Sequence, residues 1–131
     1  MAEIPAAFHD LLQAPGTAIL TTIGRDGYPQ TTAVAYLFDD DGKVKLSLNT
    51  TRQKTKNLLQ RPICTLFFID PANPYRTLEI RANAELTPDE DKAFAVKAGA
   101  KYGSDFRRMD KPGERRVIVT LHPVKVNTNG A

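Results

Sequence analysis

Apolar and polar residues along this chain alternate between a spacing of about two and a helical spacing, and the points of change give the order of elements. Ile4, Ala7, Phe8, Leu11 and Leu12 fall at helical intervals, so residues 3–13 read as a short helix ended by Pro15-Gly16. Residues 17–23 are β-branched and apolar and predict a strand. The turn Gly24-Arg25-Asp26-Gly27 leads into a second strand over 29–38. Asp39-Asp40-Asp41-Gly42 turns the chain again, and 43–49 then alternates cleanly. Val44, Leu46 and Leu48 point to one face, and Lys43, Lys45, Ser47 and Asn49 to the other.

A basic helix is predicted over about 52–60, followed by a buried strand over 62–69. Residues 70–74 read as a loop stiffened by Pro71 and Pro74. From 77 to 86 the alternation returns, with Leu78, Ile80, Ala82, Ala84 and Leu86 on one face. Thr87-Pro88-Asp89-Glu90 has the form of a helix start, with a Thr cap, Pro at the first helical position and Glu at the third. That helix should run to about Tyr102 and stop at Gly103, with another short helical piece over 104–110. A final strand, 115–126, is interrupted by Pro123, and 127–131 reads as a frayed tail. The pattern predicts a mainly β fold. Six strands in hairpin-like succession form a closed or nearly closed antiparallel barrel with short flanking helices at its openings, in one domain over 1–131.

Length and composition agree with one soluble core: 131 residues, 41% hydrophobic and 25% charged. The longest apolar run, Cys64-Thr65-Leu66-Phe67-Phe68-Ile69, is far shorter than the ~20 residues of a membrane span, so no membrane association is expected. No charged segment followed by an apolar one opens the chain, and a cytoplasmic location is the expectation. Cys64 lies inside the apolar run and reads as a buried core residue. His9, His122 and Cys64 stand apart from one another, and the acidic 39–42 run lacks the spaced ligands of a calcium loop, so no metal site is expected. A net charge of +3 favours anionic partners. It falls short of a nucleic-acid footprint, and no aromatic series interleaves with the basic residues.

The segment Thr50-Thr51-Arg52-Gln53-Lys54-Thr55-Lys56-Asn57-Leu58 carries the most chemistry. Three cations crowd the first turns of a helix, where the helix dipole disfavours positive charge by a few tenths to about 1 kcal/mol. Two readings are open. Either free N–H groups behind a Thr cap join Arg52 and Lys54 in a phosphate cradle, or this is a basic, solvated helix start.

Several segments in sequence carry a family resemblance: Ala18-Ile19-Leu20-Thr21-Thr22-Ile23 with Asp26-Gly27-Tyr28-Pro29-Gln30, then Phe38-Asp39, Lys45-Leu46-Ser47-Leu48, Arg52 to Leu58, and Arg115-Arg116-Val117-Ile118-Val119-Thr120-Leu121. In this order and spacing, the chain resembles the pyridoxamine-phosphate-oxidase-like split β-barrel proteins over nearly its whole length. It is most similar to their small actinobacterial subgroup that uses the deazaflavin coenzyme F420. The resemblance implies that Arg52 and Lys54 hold a cofactor phosphate. It places Ser47, Leu48, Asn49 and Thr50 along the ring and upper side chain, with Gln30, Thr31, Thr32 and Ala33 below the ring. It also implies a homodimer with cofactors at the interface, in which Tyr75, Arg76 and Thr77 reach a cofactor held mainly by the other subunit.

The implied activity is hydride transfer from reduced F420 to an unsaturated small organic acceptor. Tyr36 or a bound water would supply the proton, and no catalytic side chain is singled out. FMN in place of F420 is an alternative that the phosphate site does not discriminate. The basic charge favours F420 with its anionic glutamate tail. A non-catalytic flavin or small-ligand carrier is the other alternative. The chain has no Trp and ends soon after its last strand, whereas true pyridoxamine-phosphate oxidases carry an Arg/His/Trp-rich C-terminal segment, so vitamin B6 oxidation is not expected.

Overall fold

A computed structural model describes residues 2–130. A short 3-10 turn, Ala6–Phe8, leads into helix α1 (His9–Gln13). The strands are β1 (Ala18–Ile23), β2 (Pro29–Val34), β3 (Leu37–Phe38), β4 (Val44–Asn49), β5 (Ile63–Asp70), β6 (Asn73–Pro88) and β7 (Arg116–Asn129). Helix α2 (Gln53–Gln60) joins β4 to β5. Helix α3 (Ala93–Ala100) and a 3-10 turn, Phe106–Met109, lie between β6 and β7. All strand pairings are antiparallel, in one curled sheet ordered β2-β1-β5-β6-β7-β4-β3. The fold is the mainly β split barrel that the sequence predicts.

Seven strands replace the predicted six because 29–38 divides at Ala35-Tyr36. Val34 still pairs with Ala18 on one sheet edge, whereas Leu37 pairs with Lys45 on the other. Tyr36 leaves both ladders, and side chains satisfy its backbone instead. Its N–H donates to the Tyr102 hydroxyl (3.0 Å), and its carbonyl accepts from Lys101 Nζ (2.9 Å). The Tyr36 ring meets Phe68 edge-on at 4.8 Å in the barrel interior.

The core follows the alternation. Val44, Leu46 and Leu48 are buried at 2%, 0% and 6% exposure, as are Leu78, Ile80, Ala82 and Ala84 from β6. Leu12, Leu58 and Phe68 close over them from α1, α2 and β5. Asn49 departs from its predicted outward position: it is buried at the end of β4, where a polar network replaces solvent.

The other departures have local causes. The 70–74 loop is instead a tight turn, with Asp70 opposite Asn73 and its Oδ1 accepting the Ala72 N–H (2.9 Å). Thr87 and Pro88 stay in the sheet, paired with Ile118 and Val117, so the predicted helix start moves to Ala93. Asp89 caps it from a distance, accepting the Phe94 and Ala95 N–H groups at 3.1 and 2.9 Å. The predicted frayed tail is paired to β6 as far as Asn129, opposite Thr77; Ala131 lies outside the described residues. At Pro123, which has no N–H to donate, the β6–β7 register shifts. Val124 is left as the extra residue of a bulge, which adds to the sheet's curl.

Candidate functional site

The candidate site lies where β4 ends and α2 begins. Helix α2 is held by its polar face. The buried Thr55 hydroxyl donates to the Asn49 carbonyl (2.8 Å), and Asn57 Nδ2 donates to Thr22 Oγ1 (3.1 Å) and Gln30 Oε1 (3.0 Å). Gln53 Nε2 in turn donates to Asn57 Oδ1 (2.8 Å). The predicted Thr cap is absent: the cap residue is Arg52, with no side-chain cap bond, and the Thr51 N–H and hydroxyl both donate to Asn49 Oδ1. Among the described residues, no acceptor meets the N–H groups of Gln53 and Lys54, the first two of the helix.

Beside this helix start, a cleft of about 460 Å³ opens between β2 and β4. Ala33, Val34 and Ala35 line one side, and Ser47, Leu48 and Asn49 the other. Arg52 and Lys54 stand at the helix end, and Phe106, Met109 and Arg116 complete the lining. The two helix cations are bare. Among the described residues, no carboxylate lies within ion-pair distance of Arg52 or Lys54. Lys54 Nζ has only a long contact to Thr32 Oγ1 (3.4 Å). Burial, and then the neighbouring Arg52 charge, push the Lys54 pKa below its ordinary value. An arriving anion would favour the charged lysine and offset the repulsion between Lys54 and Arg52.

Arg116 is the opposite case. Its side chain is 5% exposed, and its Nε donates to both oxygens of Asp110 (3.0 and 2.9 Å). Lys92 Nζ reaches the same carboxylate at 2.9 Å, and Asn49 Nδ2 donates to Asp110 Oδ1 (2.9 Å) and Glu114 Oε1 (3.0 Å). Burial acts to raise the Asp110 pKa. The hydrogen bonds from Arg116, Lys92 and Asn49 outweigh it and hold the carboxyl well below the usual range.

Six of the residues singled out in the sequence therefore share one cleft: Ala33, Ser47, Leu48, Asn49, Arg52 and Lys54. Thr32 touches it through Lys54. Gln30 turns instead to Thr22 and Asn57 and lines a neighbouring open hollow with Tyr28 and Gln53. Thr31 is exposed and meets Thr21 across the β1–β2 pair (3.2 Å). Thr50 is tied to β7 through its N–H and the Arg115 carbonyl (2.9 Å).

Tyr75 is 79% exposed, and neither it nor Arg76 lines the cleft within one chain. Arg76 forms a clamp of its own with Asp10 (2.7 Å), Asp70 (3.1 Å) and the Ala7 carbonyl, and lies 4.7 Å over the Phe8 ring. The Tyr36 hydroxyl donates to the Leu11 carbonyl (2.8 Å) inside the core, and burial pushes its pKa up to about 12. It is not positioned to give a proton to anything in the cleft.

Sequence reading missed Phe106, Met109 and Arg116. The available signal was an arginine pair heading an apolar strand six residues after an aspartate.

A curled antiparallel sheet with such a cleft is the split-barrel fold of flavin- and deazaflavin-binding oxidoreductases. The chain belongs to the pyridoxamine 5'-phosphate oxidase family, whose model matches residues 4–130. A solved structure described as an F420 reductase is 31% identical, with a TM-score of 0.82 over 95% of this chain and 98% of that one. A conserved hypothetical protein from Mycobacterium tuberculosis is 23% identical, with a TM-score of 0.78 over 98% of this chain and 86% of that one. A putative pyridoxamine 5'-phosphate oxidase from Listeria innocua is 19% identical, with a TM-score of 0.64 over 93% and 94%. The last two share the fold. No helix among the described residues is long and apolar enough to cross a membrane.

Proposed function

We propose that this protein is an F420-dependent reductase that transfers a hydride from the reduced deazaflavin to an unsaturated small organic acceptor. The observation that carries the reading is the bare Arg52–Lys54 pair at an unsatisfied helix N-terminus, opening on a cleft walled by Ser47–Leu48 and Ala33–Ala35. Such a donor set suits a phosphate group. The 31% identity to an F420 reductase, over almost the full length of both chains, supports the deazaflavin over FMN.

When bound, the cofactor supplies the hydride chemistry; the chain supplies grip, orientation and a dry wall. Arg52, Lys54 and the Gln53 and Lys54 N–H groups would hold the phosphate. The small side chains of Ala33 and Ala35 let a flat ring approach the β2 backbone. Phe106 and Met109 would shield the reacting face from water. With Tyr36 turned into the core, the proton that completes reduction would come from a bound water.

A second copy of the chain would cover the open side of the cleft and bring Tyr75 within reach. Ile63, Ile69 and Val124, each about half exposed, offer apolar surface for that contact.

The test is a titration of the purified protein with F420 and with FMN, followed by turnover with a generic enone. Sedimentation equilibrium on the same samples reports the assembly. Tighter F420 binding, turnover and a dimer are expected. Preference for FMN, tight binding without turnover, or a monomer that retains cofactor at micromolar concentration would each overturn the corresponding part.

A further inference from the structure

We infer that Arg116 is a positioning residue that sets the shape of the cleft by joining two of its walls, β4 and the 3-10 turn; the inference rests on the cleft being the cofactor site. Besides Asp110, the Arg116 guanidinium has two sets of partners, both on the cleft lining. Nη1 donates to the Ser47 carbonyl (3.3 Å) and Oγ (3.1 Å), and Nη2 donates to the Phe106 carbonyl (3.1 Å). Ser47 is on β4. Phe106 begins the 3-10 turn whose Met109, 57% exposed, forms the opposite rim. One planar group thus spans strand and turn, with Asp110 locking its orientation from behind.

Among the described residues, the one other side-chain tie between β4 and the end of that turn is the Asn49–Asp110 bond (2.9 Å), which sits behind the guanidinium at the far end of the turn from Phe106. The turn's other anchors lead away from the cleft: the Asp105 carboxylate caps its start through the Arg107 N–H (3.0 Å), and α3 packs behind it. The α3 contact is close enough that a Cβ on Gly99 would lie 2.5 Å from the Ser104 carbonyl oxygen. The turn therefore has a rear seat on α3, and among the described residues Arg116 is the side chain that bonds both Ser47 and Phe106. Arg52 and Lys54 meet the anion, whereas Arg116 acts through Ser47 and Phe106. Its Nε and Nη1 donors are already committed and Nη2 holds the Phe106 carbonyl, so its role does not require contact with the ligand.

Arg116→Lys tests this, because lysine keeps the charge and can still meet Asp110 but has no planar fork to bridge strand and turn. Amide hydrogen exchange should quicken about tenfold in residues 105–110 and 47–49, the equivalent of losing roughly one or two hydrogen bonds, with β1 and β5 unchanged. Whichever of F420 and FMN the parent binds should bind about tenfold more weakly, with its visible absorption band displaced from the parent's. Asp110→Asn, which loosens the guanidinium without shrinking the site, should move the same segments if the lysine variant fails to fold. Exchange that is unchanged there, or faster evenly across the whole sheet, would overturn the inference and leave Arg116 a plain core residue. If the parent binds neither cofactor, the proposed function falls, and the exchange pattern still decides the role of Arg116.

Discussion

Arg116 and the Arg52–Lys54 pair lie on the same cleft, yet the protein treats these cations in opposite ways. Arg116 is buried and answered by a carboxylate, two carbonyls and a hydroxyl. Arg52 and Lys54 sit at a helix start that disfavours them, with no acidic partner among the described residues. A charge with every partner supplied by its own chain stabilises and shapes the fold. A charge left uncompensated at a concave surface is poised for a partner from outside. The same contrast separates Arg76, clamped by Asp10 and Asp70, from the two helix cations.

The contrast breaks first at Asp110. Asp110→Ala should cost about 3–5 kcal/mol, because it strands the buried Arg116 charge. Urea unfolding at neutral pH measures this, and a loss below about 1 kcal/mol would mean that Arg116 finds another partner. Lys54→Ala should behave in the opposite way. Folding stability should stay level or rise by a few tenths of a kcal/mol, since a cation leaves a helix N-terminus. Cofactor affinity should fall roughly 10- to 150-fold, the equivalent of about 1.5–3 kcal/mol for a charge-assisted bond. A variant that binds normally but melts well below the parent would make Lys54 a structural residue.

The smallest expected effect is that of mild acid. The carboxyls of Asp110 and Asp39 are both held below their ordinary range, Asp39 by Lys45 and Lys97 against the opposing effect of burial. A depressed carboxyl pKa gives stability that is fully present above the unfolded value, about 3.9, and is lost as pH falls through the folded value. Between pH 7 and 5 these two groups should change stability by only a few tenths of a kcal/mol, with the steep loss coming below about pH 4. Urea midpoints across that range check this; a steep loss already at pH 5 would point to other groups.

Much of the barrel was legible because strand alternation is local. The 43–49 and 77–86 runs carry their inward faces in their own residue order, and the basic helix start was conspicuous for its charge alone. The turn at 39–42 was legible because Gly42, at φ +78, takes a conformation that suits glycine. What stayed hidden depended on partners remote in the chain. The break at Tyr36 exists because Tyr102, 66 residues later, offers a hydroxyl to its N–H. Thr87-Pro88 looked like a helix start until pairing with β7 kept it in the sheet.

By itself, the sequence determined an antiparallel β domain, its hairpin turns and a cationic helix start. These follow from periodicity, turn chemistry and charge within short windows. Only the tertiary structure decided which cations remain bare. Arg52, Arg76 and Arg116 are chemically identical in the sequence, and they differ only in whether folding delivers Asp10, Asp70 or Asp110 to within hydrogen-bond reach.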